Sequence, residues 1–186
     1  MGVNQAPGST RTIRPPSRPI GRVPAASAHD VDRAVSAAAT AQEAWVARSV
    51  WERAAVLRTL AGTIRARGPA ILELEARDTG NTIGKLHADV EIAAGYLEYF
   101  AGLASELKGE TIPATAKGLH LTLREPYGVV ARIVPFNHPF MFAAAHLAAP
   151  LMAGNAVVVK TPETSPLTGS ILGELCQQIC RRVSSI

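Results

Sequence analysis

Two short runs of strand character, Val129 to Val134 and Ala156 to Val159, stand one helix length apart, and that spacing restricts the chain more than any other feature. Apart from Arg132 both runs are apolar at every position, which predicts strands buried on both faces, as in a parallel sheet covered by helices. Parallel neighbours need a crossover. Residues Pro139 to Ala153 supply it, with Pro139 in the tolerated first turn and Gly154 at the stop. A second helix is predicted from Pro166 to about Ile179. The result is βαβα, the start of a doubly wound sheet in which ligands bind beyond the carboxyl ends of the strands. Two parallel strands leave both edges unpaired, so the sheet is expected to be incomplete within this sequence.

The region before the sheet reads as helices. Ser27 with Asp30, and Ser49 with Glu52, fit the reciprocal hydroxyl and carboxylate pattern of a capping box. The first predicted helix runs from Val31 to Val46. The second runs from Arg53 to Arg67, with Ala54, Leu57, Leu60, Ala61 and Ile64 on one face and Gly68 as its stop. Pro69 opens a short third helix ending near Gly80. A fourth, from about Leu86 to Leu107, places Ile92, Tyr96, Tyr99 and Leu103 in helical register before Gly109. The period then changes to two: Leu119, Leu121 and Leu123 alternate with His120, Thr122 and Arg124, as in a half-buried antiparallel strand whose polar face can take a partner.

Composition narrows the function. Arg11, Arg14, Arg18 and Arg22 precede the first acidic residue, Asp30, and account for the whole formal charge of +4. The rest is neutral and lacks the concentrated basic face that nucleic acid requires. The arm from Met1 to Pro24 is rich in Pro, Gly, Ser and Arg and cannot order itself independently, although it can lie against the body. Pro15, Pro16 and Pro19 would break a transit-peptide helix, and Ala6 stands where a myristoylation signal needs Ser or Thr. No apolar run reaches spanning length, so no membrane association and a cytoplasmic location are expected. Cys176 and Cys180 share a helix face without further ligands nearby, and read as small apolar residues rather than as a metal site or nucleophile.

Two groups of residues end the strands in chemistry. Asn137 either caps the crossover helix through its side chain or offers its amide NH2 to an oxygen that becomes negative as a carbonyl turns tetrahedral. Lys160 and Glu163, three residues apart, are either solvated or suited to the two vicinal hydroxyls of a ribose. His138, at a helix start, is read as a surface or capping residue. Met141, Phe142 and His146 are read mainly as core. No glycine-rich phosphate loop is present. Gly169 and Gly173 suggest close helix packing.

The stretches Ile133-Val134-Pro135-Phe136-Asn137-His138-Pro139 and Lys160-Thr161-Pro162-Glu163 resemble the aldehyde dehydrogenase superfamily. So do Arg124-Glu125-Pro126-Tyr127-Gly128-Val129-Val130, Ala153-Gly154-Asn155, Gly21-Arg22-Val23-Pro24-Ala25 and Thr111-Ile112-Pro113, and the likeness extends from about Gly21 to Leu175. It implies the N-terminal portion of an NAD(P)-dependent enzyme that oxidises an aldehyde to a carboxylic acid through a cysteine thiohemiacetal. Asn137 would be the catalytic oxyanion donor; Val134, Pro135, Phe136, Lys160 and Glu163 would bind the cofactor; no metal is implied. Glu163 favours NAD over NADP, because a carboxylate near the ribose repels a 2′-phosphate. By this resemblance residues 1–24 form the arm, 25–118 the helical part of the cofactor domain, 119–128 an oligomerisation-type strand and turn, and 129–186 a partial Rossmann-like unit, within a homo-oligomer. The family's nucleophile and general base have no counterpart in this sequence. The alternative is a non-catalytic remnant that binds full-length subunits or nucleotide only.

Overall fold

The computed structural model describes the backbone of residues 10–13, 20–115 and 118–183. Its elements are β1 (Thr10–Ile13), β2 (Gly21–Pro24), α1 (Ala28–Val46), α2 (Val50–Ala66), α3 (Gly68–Thr79), α4 (Ile83–Gly102), a 3-10 turn at Ala104–Glu106, β3 (Thr111–Thr115), β4 (Gly118–Leu121), β5 (Val129–Ile133), α5 (Pro139–Ala145), α6 (Ala148–Met152), β6 (Ala156–Lys160) and α7 (Leu167–Val183). The α/β class is as expected, with β5 and β6 parallel and in register from Val129 beside Ala156 to Ile133 beside Lys160.

Both capping boxes form. Ser27 Oγ accepts from Asp30 N while Asp30 accepts from Ser27 N, and Ser49 and Glu52 repeat the exchange, so α1 and α2 each begin about three residues earlier than their apolar periodicity suggests. Gly68 does not stop the chain but opens α3. A Cβ there would stand 3.3 Å from Val90 Cγ1, so the glycine lets α3 start close against α4.

Helix α4 turns a different face inward from the one predicted. Leu86, Val90, Ala93, Ala94, Leu97 and Ala101 are buried against the Ala54, Leu57, Leu60, Ala61 and Ile64 face of α2, while Ile92, Tyr96 and Tyr99 stay exposed. Small alanines bring two helices closer than tyrosines can, and close packing wins when a helix is apolar around most of its circumference. Tyr96 instead stacks on His146 at 6.2 Å, and Tyr99 meets Phe100 edge-on at 5.2 Å. At the rim Arg65 bridges Glu91 and Glu98.

The crossover is broken into two helices. Pro150 has no N–H, and its ring would collide with the carbonyl of His146 in a continuous helix, so the chain tightens at Leu147, whose N–H reaches Ala144 O at 3.2 Å. The buried Arg53 guanidinium secures this region by donating to Met152 O and Arg48 O, at the carboxyl ends of α6 and α1, where a cation is favoured.

Two further expectations are corrected. Strand β5 is not buried on both faces: Ile133 is 71% exposed and Ala131 is exposed, because the described helices do not seal the two-stranded sheet. The alternating strand exists, but its partner is β3 and no described helix packs extensively on the hairpin, so Leu119, Leu121 and Leu123 are 65%, 65% and 80% exposed rather than half-buried. Part of the N-terminal arm is ordered. Strand β1 pairs antiparallel with β2, and β2 packs on α7 so tightly that a Cβ at Gly21 would stand 2.7 Å from Leu167 Cδ2. Borrowed surface does what the arm cannot do alone. The readings of Ala6, Arg14, Pro15, Pro16, Arg18 and Pro19, and of the last three residues, lie outside the described residues.

The core runs through Leu57, Ile64, Ile71, Leu86, Leu97, Phe140 and Leu175. Leu97→Ala is therefore expected to cost about 2–5 kcal/mol, and Leu119→Ala less than about 0.5 kcal/mol. Urea unfolding of the two variants checks the contrast; equal losses would contradict the placement of both residues.

Candidate active site

Because β5 and β6 run parallel, both release their loops at the same edge of the sheet. The last rung of the ladder is Val134 N to Lys160 O at 3.0 Å. Beyond it the first chain passes through buried Val134, then exposed Pro135, Phe136 and Asn137, and the second passes from Lys160 to Glu163. The structure brings the ends of these segments together: Lys160 lies beside Ile133 in the sheet, and Ser165 Oγ donates to Phe136 O at 3.3 Å across the two loops. Lys160 Nζ and Glu163 Oε1 stand 3.9 Å apart, both largely exposed, a geometry of little energetic value to the fold.

Asn137 does not cap α5. The residue in the cap position is His138, and it makes no capping bond through its side chain. Among the described residues the Asn137 side chain has no hydrogen bond, while its backbone carbonyl accepts from Asn81 Nδ2 at 2.9 Å. Of the two sequence alternatives the capping one is thus excluded, and the amide stays available to a ligand.

What holds this loop is a group of acidic residues that the sequence reading passed over. Glu75 Oε1 accepts from Phe140 N at 2.9 Å, Asp78 Oδ2 accepts from Leu167 N at 2.8 Å, and Asp89 Oδ2 lies 2.8 Å from His138 Nδ1. His138 is therefore a tethered residue rather than a free surface one. Glu75 and Asp78 are only 2% and 8% exposed. Burial pushes both carboxyls above their ordinary values, opposed in Glu75 by the nearby Thr168 hydroxyl and the Phe140 amide and in Asp78 by the Leu167 amide. A signal for them was present. Ile71, Glu75 and Asp78 follow the i, i+4, i+7 spacing of one helix face, so two acids fall on the stripe that Ile71 marks as inward.

Other singled-out residues lie elsewhere. His146 sits between Tyr96 and Phe142, with its imidazole held below its usual range by burial first and by Arg132 second. Met141 and Phe142 are half-buried. Gly169 does mark a close approach, since a Cβ there would lie 2.2 Å from Thr161 Cγ2, whereas Gly173 faces open space. Cys176 is packed against the core; the side chain of Cys180 lies outside the described residues. Among the described residues no three metal-binding side chains gather, and no helix is long and apolar enough to cross a membrane.

This geometry has close counterparts. Aldehyde dehydrogenase tropH of Talaromyces stipitatus is 42% identical over 163 residues, which make up 86% of this chain and 32% of that protein. Crystal structures of PnpE in complex with nicotinamide adenine dinucleotide and of PnpE from Pseudomonas sp. WBC-3 each match 92% of this chain and 36% of their own, at 37% identity and a TM-score of 0.87. An aldehyde dehydrogenase from Brucella melitensis biovar abortus matches 95% of this chain and 37% of its own, at 32% identity and a TM-score of 0.88. The chain spans about a third of the length of these relatives. With the sequence pattern of the aldehyde dehydrogenase family matching residues 4–180 as well, the chain belongs to the aldehyde dehydrogenase family.

Proposed function

We propose that this chain is the cofactor-side, N-terminal portion of an enzyme that oxidises an aldehyde to a carboxylic acid, with Asn137 as its oxyanion donor. The observation that supports this most is the unbonded Asn137 amide at the carboxyl edge of β5, on a loop whose backbone is fixed by Asn81, Glu75 and Ser165. A donor held in place needs no reorganisation when charge develops on the substrate oxygen, and this is the main source of such stabilisation.

The Lys160 and Glu163 side chains fit a ribose. They are exposed, lie close to each other at the sheet edge, and combine a donor with an acceptor. Lys160 would donate to one hydroxyl and Glu163 accept from its neighbour, and the carboxylate would disfavour a 2′-phosphate, so NAD is the cofactor of this reading, with NADP bound more weakly. Val134, Pro135 and Phe136 would form the cleft wall. Held by these residues, the cofactor would supply the hydride acceptor for oxidation of the thiohemiacetal that a cysteine outside this segment would form with the aldehyde, and water would then release the acid. The work of this segment is to hold the cofactor's ribose and to neutralise the oxyanion. The 186-residue polypeptide alone is expected to show no turnover. Residues 25–118 and 129–186 would be the two parts of the cofactor domain, in a cytoplasmic homo-oligomer.

A second reading has an observation of its own: the exposed Leu119, Leu121 and Leu123 on the β3–β4 hairpin favour pairing of residues 119–128 with another subunit. Under it the chain is a non-catalytic partner of full-length subunits, and co-purification with such a subunit in the absence of any turnover would favour it.

Grafting this chain in place of the matching segment of the Talaromyces relative tests the first reading. The chimera is expected to oxidise aldehydes with NAD+. Asn137→Ala in it should lower kcat by about 100- to 1,000-fold with little change in the KM for NAD+; an unchanged kcat would remove the oxyanion role. Glu163→Gln is expected to act differently, raising the KM for NAD+ roughly tenfold and improving the relative use of NADP+. Equal effects on both cofactors would sink the ribose assignment.

A further inference from the structure

We infer that Glu75 is the positioning residue of the Asn137 loop, and that with Asp78 it registers this loop against the one carrying Lys160 and Glu163. The inference rests on the reading of those three residues as site residues, but its geometry does not depend on it.

Helix α5 begins with Pro139, which has no N–H, so Phe140 carries its first amide, and that amide has no acceptor within its own helix. The cap position offers no side-chain acceptor either. Glu75 supplies one from outside, through Oε1. Asp78 does the same for Leu167, the first residue of α7, which follows Pro166. Both carboxylates thus serve as caps donated by another helix. They sit three residues apart on α3, so about 4.5 Å of rise separates them and one rigid turn sets the distance between two helix starts. Asn137 precedes the first start by two residues and Glu163 precedes the second by four. A shift of α3 would move both, and a loss of one acid would free one.

A cap of purely structural value could sit at any exposed helix end. This pair is buried, where ionised acids are costly, and it leaves Glu75 Oε2, Asp78 Oδ1 and Thr168 Oγ1 without well-formed partners. A proton on Glu75 Oε2 would give the Thr168 oxygen a donor while Oε1 keeps the Phe140 amide. The groups that face Glu75 are Asp78 on its own helix, Asp89 on α4 with His138 beside α5, and uncharged Thr168 on α7. Nearby acids and burial act in the same direction on it. At pH values below its ordinary 4.5, folded and unfolded chains both hold the proton and Glu75 gives no pH dependence. Above that, the unfolded chain releases it first, so stability falls as pH rises, until folded Glu75 also ionises.

The experiment is hydrogen exchange and amide NMR on the full 186-residue chain, comparing wild type with E75Q and E75A. In E75A the amide of Phe140 and its neighbours in residues 136–142 should exchange roughly ten- to a hundredfold faster, while those of Leu57 and Leu97 are unchanged. E75Q, which keeps an acceptor oxygen, should stay close to wild type and lose the pH-dependent fall in stability. The Phe140 amide proton shift should titrate in wild type and be silent in E75Q. Uniform acceleration across the core, E75Q matching E75A, or a Phe140 shift that ignores pH would each overturn the inference. If E75A does not fold, the E75Q comparison and the titration decide alone. None of these readouts involves turnover, so an active Asn137→Ala chimera would refute the functional reading and leave this one standing, and the reverse holds equally.

Discussion

A helix that starts with proline leaves its first free amide pointing away from any acceptor of its own, and in this chain that amide is buried. The bond from Phe140 N to Glu75 is therefore an obligation of the fold: a buried donor without a partner costs about 1–3 kcal/mol. Much of the architecture can be traced from it. To reach Phe140, Glu75 must lie on the inward face of α3. This brings Ile71 and Asp78 inward too, sets α3 against α7 through Leu167 N, and requires Gly68 to pass close to Val90 on α4.

The sheet edge adds a second constraint. Parallel pairing puts the carboxyl ends of β5 and β6 side by side, but a shared edge fixes only where two loops begin. The bond from Ser165 to Phe136 O joins the two loops further on, and the bond from Asn81 to Asn137 O ties the first of them to the turn after α3. Asn137 is thus immobilised through main-chain atoms at or near it, while its side chain is left unbonded. That division suits an oxyanion donor, whose value depends on being held in place without being used up.

Features set by near neighbours in sequence were legible. Capping boxes, the parallel strand pair with its crossover, and the edge at which Asn137, Lys160 and Glu163 gather all follow from spacing over a few residues or one helix. What escaped was set by partners far along the chain. The inward face of α4 depended on which of two apolar stripes α2 could approach more closely, and alanines won over tyrosines. The break before α6 was written in Pro150, yet an apolar run with one late proline also reads as a single helix. Glu75, Asp78 and Asp89 were passed over, since their partners lie 49 to 89 residues away.

Among the described residues, the contacts that orient the Asn137 loop come from Glu75 on α3, Asn81 after it and Ser165 before α7. The covalent step of the proposed reaction needs a thiolate, and the cysteine whose side chain is described, Cys176, is packed against the core on α7. Positioning and bond-making are therefore separable tasks in this architecture. Under the proposed reading, this segment would position the cofactor and the oxyanion through loops fixed by its own buried acids, and would depend on other residues for its nucleophile.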